Sequence, residues 1–180
     1  FMAKPLTDPA LPPADLGYAM PAEWERHEAT WLGWPHNETD WPGKLDTIRW
    51  VYGEMVRKIS AGEIVRLLVR HRTEERLARQ YLSRAGCDLD RVDFIIHPTN
   101  RGWTRDSGPI CVRRRRPTRD VAIVHFHFNA WAKYDDWQLD TTVPETAARR
   151  LKKRLFNAEF NGRNFIIEGG GIEVNGCGTL

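Results

Sequence analysis

Asp106 stands within Trp103-Thr104-Arg105-Asp106-Ser107-Gly108-Pro109. A carboxylate beside an indole, in a stretch closed by Gly and Pro, suits a planar delocalised cation such as guanidinium. The carboxylate accepts two parallel N–H bonds from the fork, and the indole face lies against the cation's plane. The competing reading is local: Asp106 caps a turn, or pairs with Arg105 or another nearby base. Glu168-Gly169-Gly170-Gly171 is the second candidate. Its glycines admit close approach of backbone or ligand, and Glu168 emerges at a strand end, where site loops emerge. A glycine bulge with a solvated Glu168 is the plain alternative. The run is not GxGxxG and precedes a strand rather than a helix, which argues against a phosphate cradle.

Phe128-Asn129-Ala130-Trp131, continuing through Tyr134, Asp135, Asp136, Trp137 and Asp140, mixes aromatics with acids. It reads either as the wall of a pocket for a cationic substrate or as a loop pinned by aromatic anchors. His125 and His127 alternate on one strand face, but no third ligand stands at suitable spacing, so surface or satisfied core histidines are expected rather than a metal site. The basic runs Arg113 to Arg116 and Arg149 to Arg154 would, on a nucleic-acid reading, share a face with base-stacking tryptophans. A solvated hairpin tip and an outer helix face explain them more simply. Cys177 reads as a packing residue.

The 180 residues are 41% apolar and 28% charged, the balance of a soluble globular chain. A net charge of +3 is too mild to argue for nucleic acid. No apolar stretch is long enough to span a membrane, and the opening lacks the apolar core of a signal peptide. Cys87, Cys111 and Cys177 form no CxxC pair, so reduced thiols in a cytoplasm are the expectation. The eight tryptophans point to broad aromatic packing or to flat walls around a ligand.

The elements that must position these residues follow from periodicity. Residues 1–19 carry Pro5, Pro9, Pro12 and Pro13 and read as a flexible Pro-rich arm. Ordered structure is expected from Met20, with a buried strand over Ala29 to Trp34 ended by Pro35. Ile48, Val51, Tyr52, Met55, Val56 and Ile59 form one stripe and predict a helix from about Leu45 to Ser60. Ile64 to Val69 is a strand. Thr73 caps a second helix that buries Leu77, Ala78, Tyr81 and Leu82 and stops at Gly86. Val92 to His97 is the next strand. Pro109 to Arg113 and Val121 to Phe128 form a pair. Thr142 and Glu145 have capping-box spacing, which predicts a helix to about Phe156. Arg163 to Ile167 and Ile172 to Val174 are strands, and Asn175-Gly176 favours a type I′ hairpin whose return begins at Cys177. That hairpin would be cut short at Leu180, which suggests the front portion of a longer protein. The class is α/β (α+β), with repeated units of two or three strands and one helix.

Four blocks together carry a resemblance: MPAEWERHEATWLGWPHN at Met20 to Asn37, WTRDSGP at Trp103 to Pro109, FNAW at Phe128 to Trp131, and EGGGIEVNGCGTL at Glu168 to Leu180. In this order they resemble the agmatine deiminases, which group with the bacterial-type peptidyl-arginine deiminases. The resemblance implies the pentein fold, an α/β propeller of five ββαβ units. Residues 20–180 would be the N-terminal part of that single domain, about half of the fan. It also implies that the nucleophilic cysteine and the catalytic histidine lie beyond Leu180. Cys177, His125 and His127 do not match their motifs.

Residue by residue, Asp106 matches the carboxylate that binds the substrate guanidinium, with Trp103 beside it. Glu168 matches the glutamate that orients and charges the catalytic histidine. Asn129 and Trp131 match a family block and are expected to line the pocket. The implied reaction converts agmatine and water to N-carbamoylputrescine and ammonia through a covalent cysteine intermediate, with no metal or organic cofactor. The implied partner is a small guanidino compound, agmatine or an arginine side chain. Neither nucleic acid nor membrane is implied, and a homo-oligomer stays open. The alternatives are peptidyl-arginine deimination and, from another class, a noncatalytic nucleic-acid-binding module. Alone, the chain is expected to be inactive.

Overall fold

The computed structural model describes residues 11–114 and 119–180. The first ten residues of the expected arm, and Arg115 and Arg116 of the first basic run, lie outside them. In chain order the strands are Tyr18–Ala19 (β1), Ala29–Gly33 (β2), Ile64–Val69 (β3), Val92–Ile96 (β4), Ile110–Arg114 (β5), Val121–His125 (β6), Leu155–Asn157 (β7), Glu159–Phe160 (β8) and Arg163–Asn164 (β9). The helices are Leu45–Ser60 (α1), Arg72–Arg84 (α2), Thr104–Ser107 (α3) and Val143–Leu151 (α4). None of the described helices is long and apolar enough to cross a membrane. The described residues group into two compact units, one of residues 26–104 and 135–140, the other of residues 11–25, 105–114, 119–134 and 141–180.

The first unit is a parallel sheet in the order β2-β3-β4, with α1 and α2 as its connections. Val65, Leu67 and Val69 of β3 are completely or almost completely buried beside Trp34, Val56, Ala78 and Leu82. A central parallel strand covered by helices reads as a continuous apolar run, as Ile64 to Val69 does. Tyr52, Val56 and Ile59 of the α1 stripe pack into this core. Val51 and Met55, counted in the same stripe, are 47% and 39% exposed. The cap of α2 is His71 rather than Thr73: its ring accepts the Glu74 N–H, and the helix begins at Arg72.

The second unit holds a sheet in the order β1-β5-β6-β7, antiparallel except for the parallel β6–β7 pair. Tyr18, Val112, Ala122, Val124 and Phe156 form its core, and α4 packs against β6 as the crossover to β7. Within the expected arm, Pro13–Leu16 is a 3-10 turn and Tyr18 is buried in β1, because pairing with β5 gives this Pro-rich stretch a ladder to join.

Several further expectations differ from the structure. The last helix ends at Leu151, not near Phe156: Lys152 is left-handed at φ 53°, and Leu155 and Phe156 join β7 beside β6. Thr142 occupies the cap position of α4 without the side-chain hydrogen bond of a capping box. The Asn-Gly hairpin forms at Asn161-Gly162, both with positive φ, between β8 and β9, so the strand expected over Arg163 to Ile167 shortens to Arg163–Asn164. Residues 172–180 form no strand; the Asn175 side-chain oxygen instead accepts the N–H groups of Cys177 and Thr179, curling that segment on itself.

Candidate active site

Asp106 lies in α3, a single turn between the loop that follows β4 and the Gly108-Pro109 entry to β5. It is half-buried, and its carboxylate makes no hydrogen bond or ion pair with any described residue. The expected local competitor is engaged elsewhere, since the Arg105 guanidinium pairs with Glu23. Burial pushes the Asp106 carboxyl above its usual pKa, the nearby negative charge of Glu168 pushes it further, and Arg105 opposes both.

Glu168 reaches this neighbourhood because the chain after it packs against α3. The Gly171 N–H donates to the Glu168 carbonyl at 2.9 Å, closing a 3-10 turn over Gly169–Gly171. A β-carbon on Gly169 would lie 2.5 Å from the Arg105 carbonyl oxygen, and one on Gly170 would lie 2.9 Å from Asp106 Oδ1. The glycines are therefore required by space. Any side chain at 169 would strike backbone, and one at 170 would press on the carboxylate. Glu168 is half-buried and forms no side-chain hydrogen bond or ion pair among the described residues. Two acids, both poor in protein partners, are thus held beside each other.

Asn129 approaches from β6. Beyond β6 the His127 N–H donates to the Phe165 carbonyl at 2.9 Å, and His127 bridges Ile166 in parallel. Asn129 and Glu168 each stand two residues beyond that bridge, on segments running the same way. The Asn129 Oδ1 atom is buried and has no hydrogen-bond partner among the described residues. After it, Ala130, Trp131 and Ala132 all adopt left-handed backbone, at φ 53°, 57° and 56°. Such conformations are costly for residues with a β-carbon and concentrate at functional sites. Trp131 is 43% exposed, and its ring packs edge-on against Phe128 and Tyr134.

Trp103 belongs to the other compact unit, and there its ring faces the chain's own Arg101, whose guanidinium carbon lies 5.4 Å from the ring centroid. Arg101 is bound in turn by Asp40 and Asp136. Asp136 falls in the stretch read as a wall for a cationic substrate, but the cation it meets is the chain's own Arg101, and Asp40 carries no such signal in the sequence. Their pairing is purely tertiary.

The remaining candidates have local roles. His125 and His127 line a cavity of about 280 Å³ with Thr141, Glu145 and Asn157, and burial, followed by the neighbouring His125, lowers the His127 pKa. No cluster of three metal-ligating residues is present among the described residues. Of the basic runs, Arg113 pairs with Glu25, Arg114 lies over Tyr18, and Arg154 lies over Phe156. Cys177 is exposed, and the expectation of a packing role fails because its segment does not join a sheet.

The sequence profile of the Porphyromonas-type peptidyl-arginine deiminases matches residues 19–180. The agmatine deiminase of Stutzerimonas stutzeri is 31% identical over 174 residues, covering 93% of this chain and 44% of that protein. The agmatine deiminase of Pseudomonas aeruginosa is 30% identical over 181 residues, covering 97% of this chain and 46% of that protein. The chain thus spans less than half the length of these relatives. Among solved structures, agmatine deiminase of Enterococcus faecalis superposes with a TM-score of 0.77 at 23% identity, over 91% of this chain and 43% of that one. A Cys-to-Ser variant of C. jejuni agmatine deiminase with substrate bound superposes with a TM-score of 0.71 at 29% identity, over 87% of this chain and 43% of that one.

Proposed function

Because the chain belongs to the Porphyromonas-type peptidyl-arginine deiminase family, we propose that it forms the guanidinium-binding portion of a hydrolase of agmatine deiminase type. The observation that carries this reading is the pairing of Asp106 with Glu168, two neighbouring carboxylates that no described residue neutralises by contact. Such a pair is poised for a cation. A guanidinium entering beside them supplies the missing positive charge and offsets the effects that raise the Asp106 pKa.

In this reading Asp106 accepts two N–H bonds from the guanidinium and fixes its plane. Guanidinium is resonance-stabilised and poorly electrophilic, so holding its central carbon in line for attack is a large part of catalysis. A thiolate supplied from outside residues 1–180 adds to that carbon. A histidine, also from outside, gives its proton to the departing nitrogen, and ammonia leaves. Glu168 holds that histidine in its charged form before the transfer. Water, deprotonated by the same histidine, then displaces the sulfur, leaving a ureido product and a free thiol. Asn129 and the exposed Trp131 line the pocket. In the whole domain the strand and helix pattern of residues 20–180 would supply about two to three of the five ββαβ units of a pentein fan.

The substrate proposed is agmatine, the compound in the name of the similar curated proteins and of the C. jejuni enzyme whose structure holds its substrate. The test is calorimetric titration of the isolated chain with agmatine, beside an ammonia-release assay. Weak binding that is abolished by Asp106→Asn, with no turnover, is the expected result. Binding unchanged in Asp106→Asn would overturn the assignment of Asp106, and turnover by the isolated chain would overturn the external nucleophile. Titration with free arginine and an arginyl peptide separates agmatine from the alternative substrate.

A further inference from the structure

Three loops of the unit built on β2, β3 and β4 converge on one side chain. Arg101 follows β4 and is only 9% exposed, as is the Asp40 carboxylate that faces it. The Arg101 Nη1 donates to Asp40 Oδ1 at 2.6 Å and to Thr39 Oγ1 at 2.9 Å. Its Nε and Nη2 both donate to Asp136 Oδ1, at 3.2 and 2.9 Å. The Trp103 ring lies against one face of the guanidinium. Two carboxylates, a hydroxyl and an indole thus meet the edges and one face of a planar fork.

We infer that Asp40, Asp136, Thr39 and Trp103 form a guanidinium-binding site in their own right, which the chain fills with its own Arg101. Through it Arg101 is the positioning residue of the 99–103 loop. The site goes beyond the proposed function and does not depend on it. It uses the same chemistry as the proposed substrate site, a carboxylate pair with an aromatic wall, for an internal ligand.

The geometry is selective for guanidinium over ammonium. Asp40 and Asp136 are met by nitrogens on different edges of the fork, which a single ammonium head cannot do at once, and an ammonium does not lie flat on an indole. The backbone of the same loop is anchored in parallel. The Asn100 and Arg101 N–H groups donate to the buried Asp140 carboxylate, at 2.7 and 3.1 Å for the shorter bond of each. The Asn100 side-chain oxygen accepts the Leu139 N–H at 2.8 Å. The Arg101 side chain adds the link to Asp40 that these backbone bonds lack. Burial works against its charge, but the two carboxylates outweigh this and hold the proton more tightly than usual.

The test uses the full chain carrying Asp106→Asn, so that no added guanidino compound reports on the proposed substrate site. In that background Arg101→Ala and Arg101→Lys are both expected to lower Tm by several degrees. Millimolar ethylguanidinium, which replaces the atoms removed in Arg101→Ala, is expected to restore most of the loss, and ethylammonium none of it. Equal rescue by ethylammonium, or an Arg101→Lys variant as stable as its parent, would overturn the inference. Should Arg101→Ala not fold, NMR of the unsubstituted chain decides. Separate, slowly exchanging Nη signals for Arg101 support a guanidinium held on several edges, and a single averaged signal refutes it.

Discussion

A β-carbon built on Gly170 would lie 2.9 Å from Oδ1 of Asp106, so the glycine is what leaves that carboxylate its room. The contact is with the end of a side chain, which can swing away. Gly170→Ala should therefore cost little stability while weakening the proposed agmatine binding about tenfold, the loss expected from displacing one charge-assisted hydrogen bond of about 1.5 kcal/mol. Gly169→Ala meets the Arg105 backbone oxygen instead. It should destabilise the fold by roughly 1–3 kcal/mol. Calorimetry with agmatine and urea denaturation distinguish the two variants, and a reversed pattern would refute the packing described.

Asp106 itself should weigh on stability. Its pKa is raised by burial and by Glu168, so the folded protein holds the proton more tightly than the unfolded chain does. Its contribution is then most favourable below the unfolded value and is lost as pH rises through the raised folded value. Asp106→Asn removes that loss, and near neutral pH the variant should be at least as stable as the parent. A clear fall in its Tm would point to a structural role for the carboxylate.

Asp140 offers a stronger version of the same effect. It is completely buried, and burial lifts its pKa to about 6, against the lowering influence of the Asn100 and Arg101 N–H groups. Between the ordinary carboxyl value of 3.8 and about 6 the folded form carries the extra proton, so stability should decline as pH rises across that window. Urea denaturation at several pH values should show this slope in the parent and a flatter one in Asp140→Asn. Equal slopes would remove Asp140 as its source.

The left-handed run at Ala130, Trp131 and Ala132 predicts a gain from glycine. Ala132 is exposed with φ 56°, so its β-carbon contributes strain and little packing. Ala132→Gly should stabilise the protein by roughly 0.5–1 kcal/mol. A loss of stability on denaturant titration would contradict the conformation.

Elements whose apolar period coincides with their buried face were legible without coordinates. The helix over Leu45–Ser60 and the strands over Ala29–Gly33 and Ile64–Val69 depend on local spacing, and the local spacing was clear. Asp106, Asn129, Trp131 and Glu168 stood out by residue type and by the blocks around them. Two Asn-Gly pairs carried the same turn signal. Which of them closes a hairpin was decided by whether flanking residues found partners, as Glu159 does in Asn164 while residues 172–180 do not. Likewise Leu155 and Phe156 continue a helical pattern in sequence, yet become a strand once β6 offers a ladder.

The Arg101 site shows the boundary most plainly. Asp40, Arg101 and Asp136 are ordinary charged residues in sequence, where nothing marks any of them for another. Hydrophobic period and turn chemistry act over a few neighbouring residues, so one strand of text records them. The meeting of acids with a guanidinium from distant loops is an energy of approach in space, and it exists only after the sheet has brought those loops together.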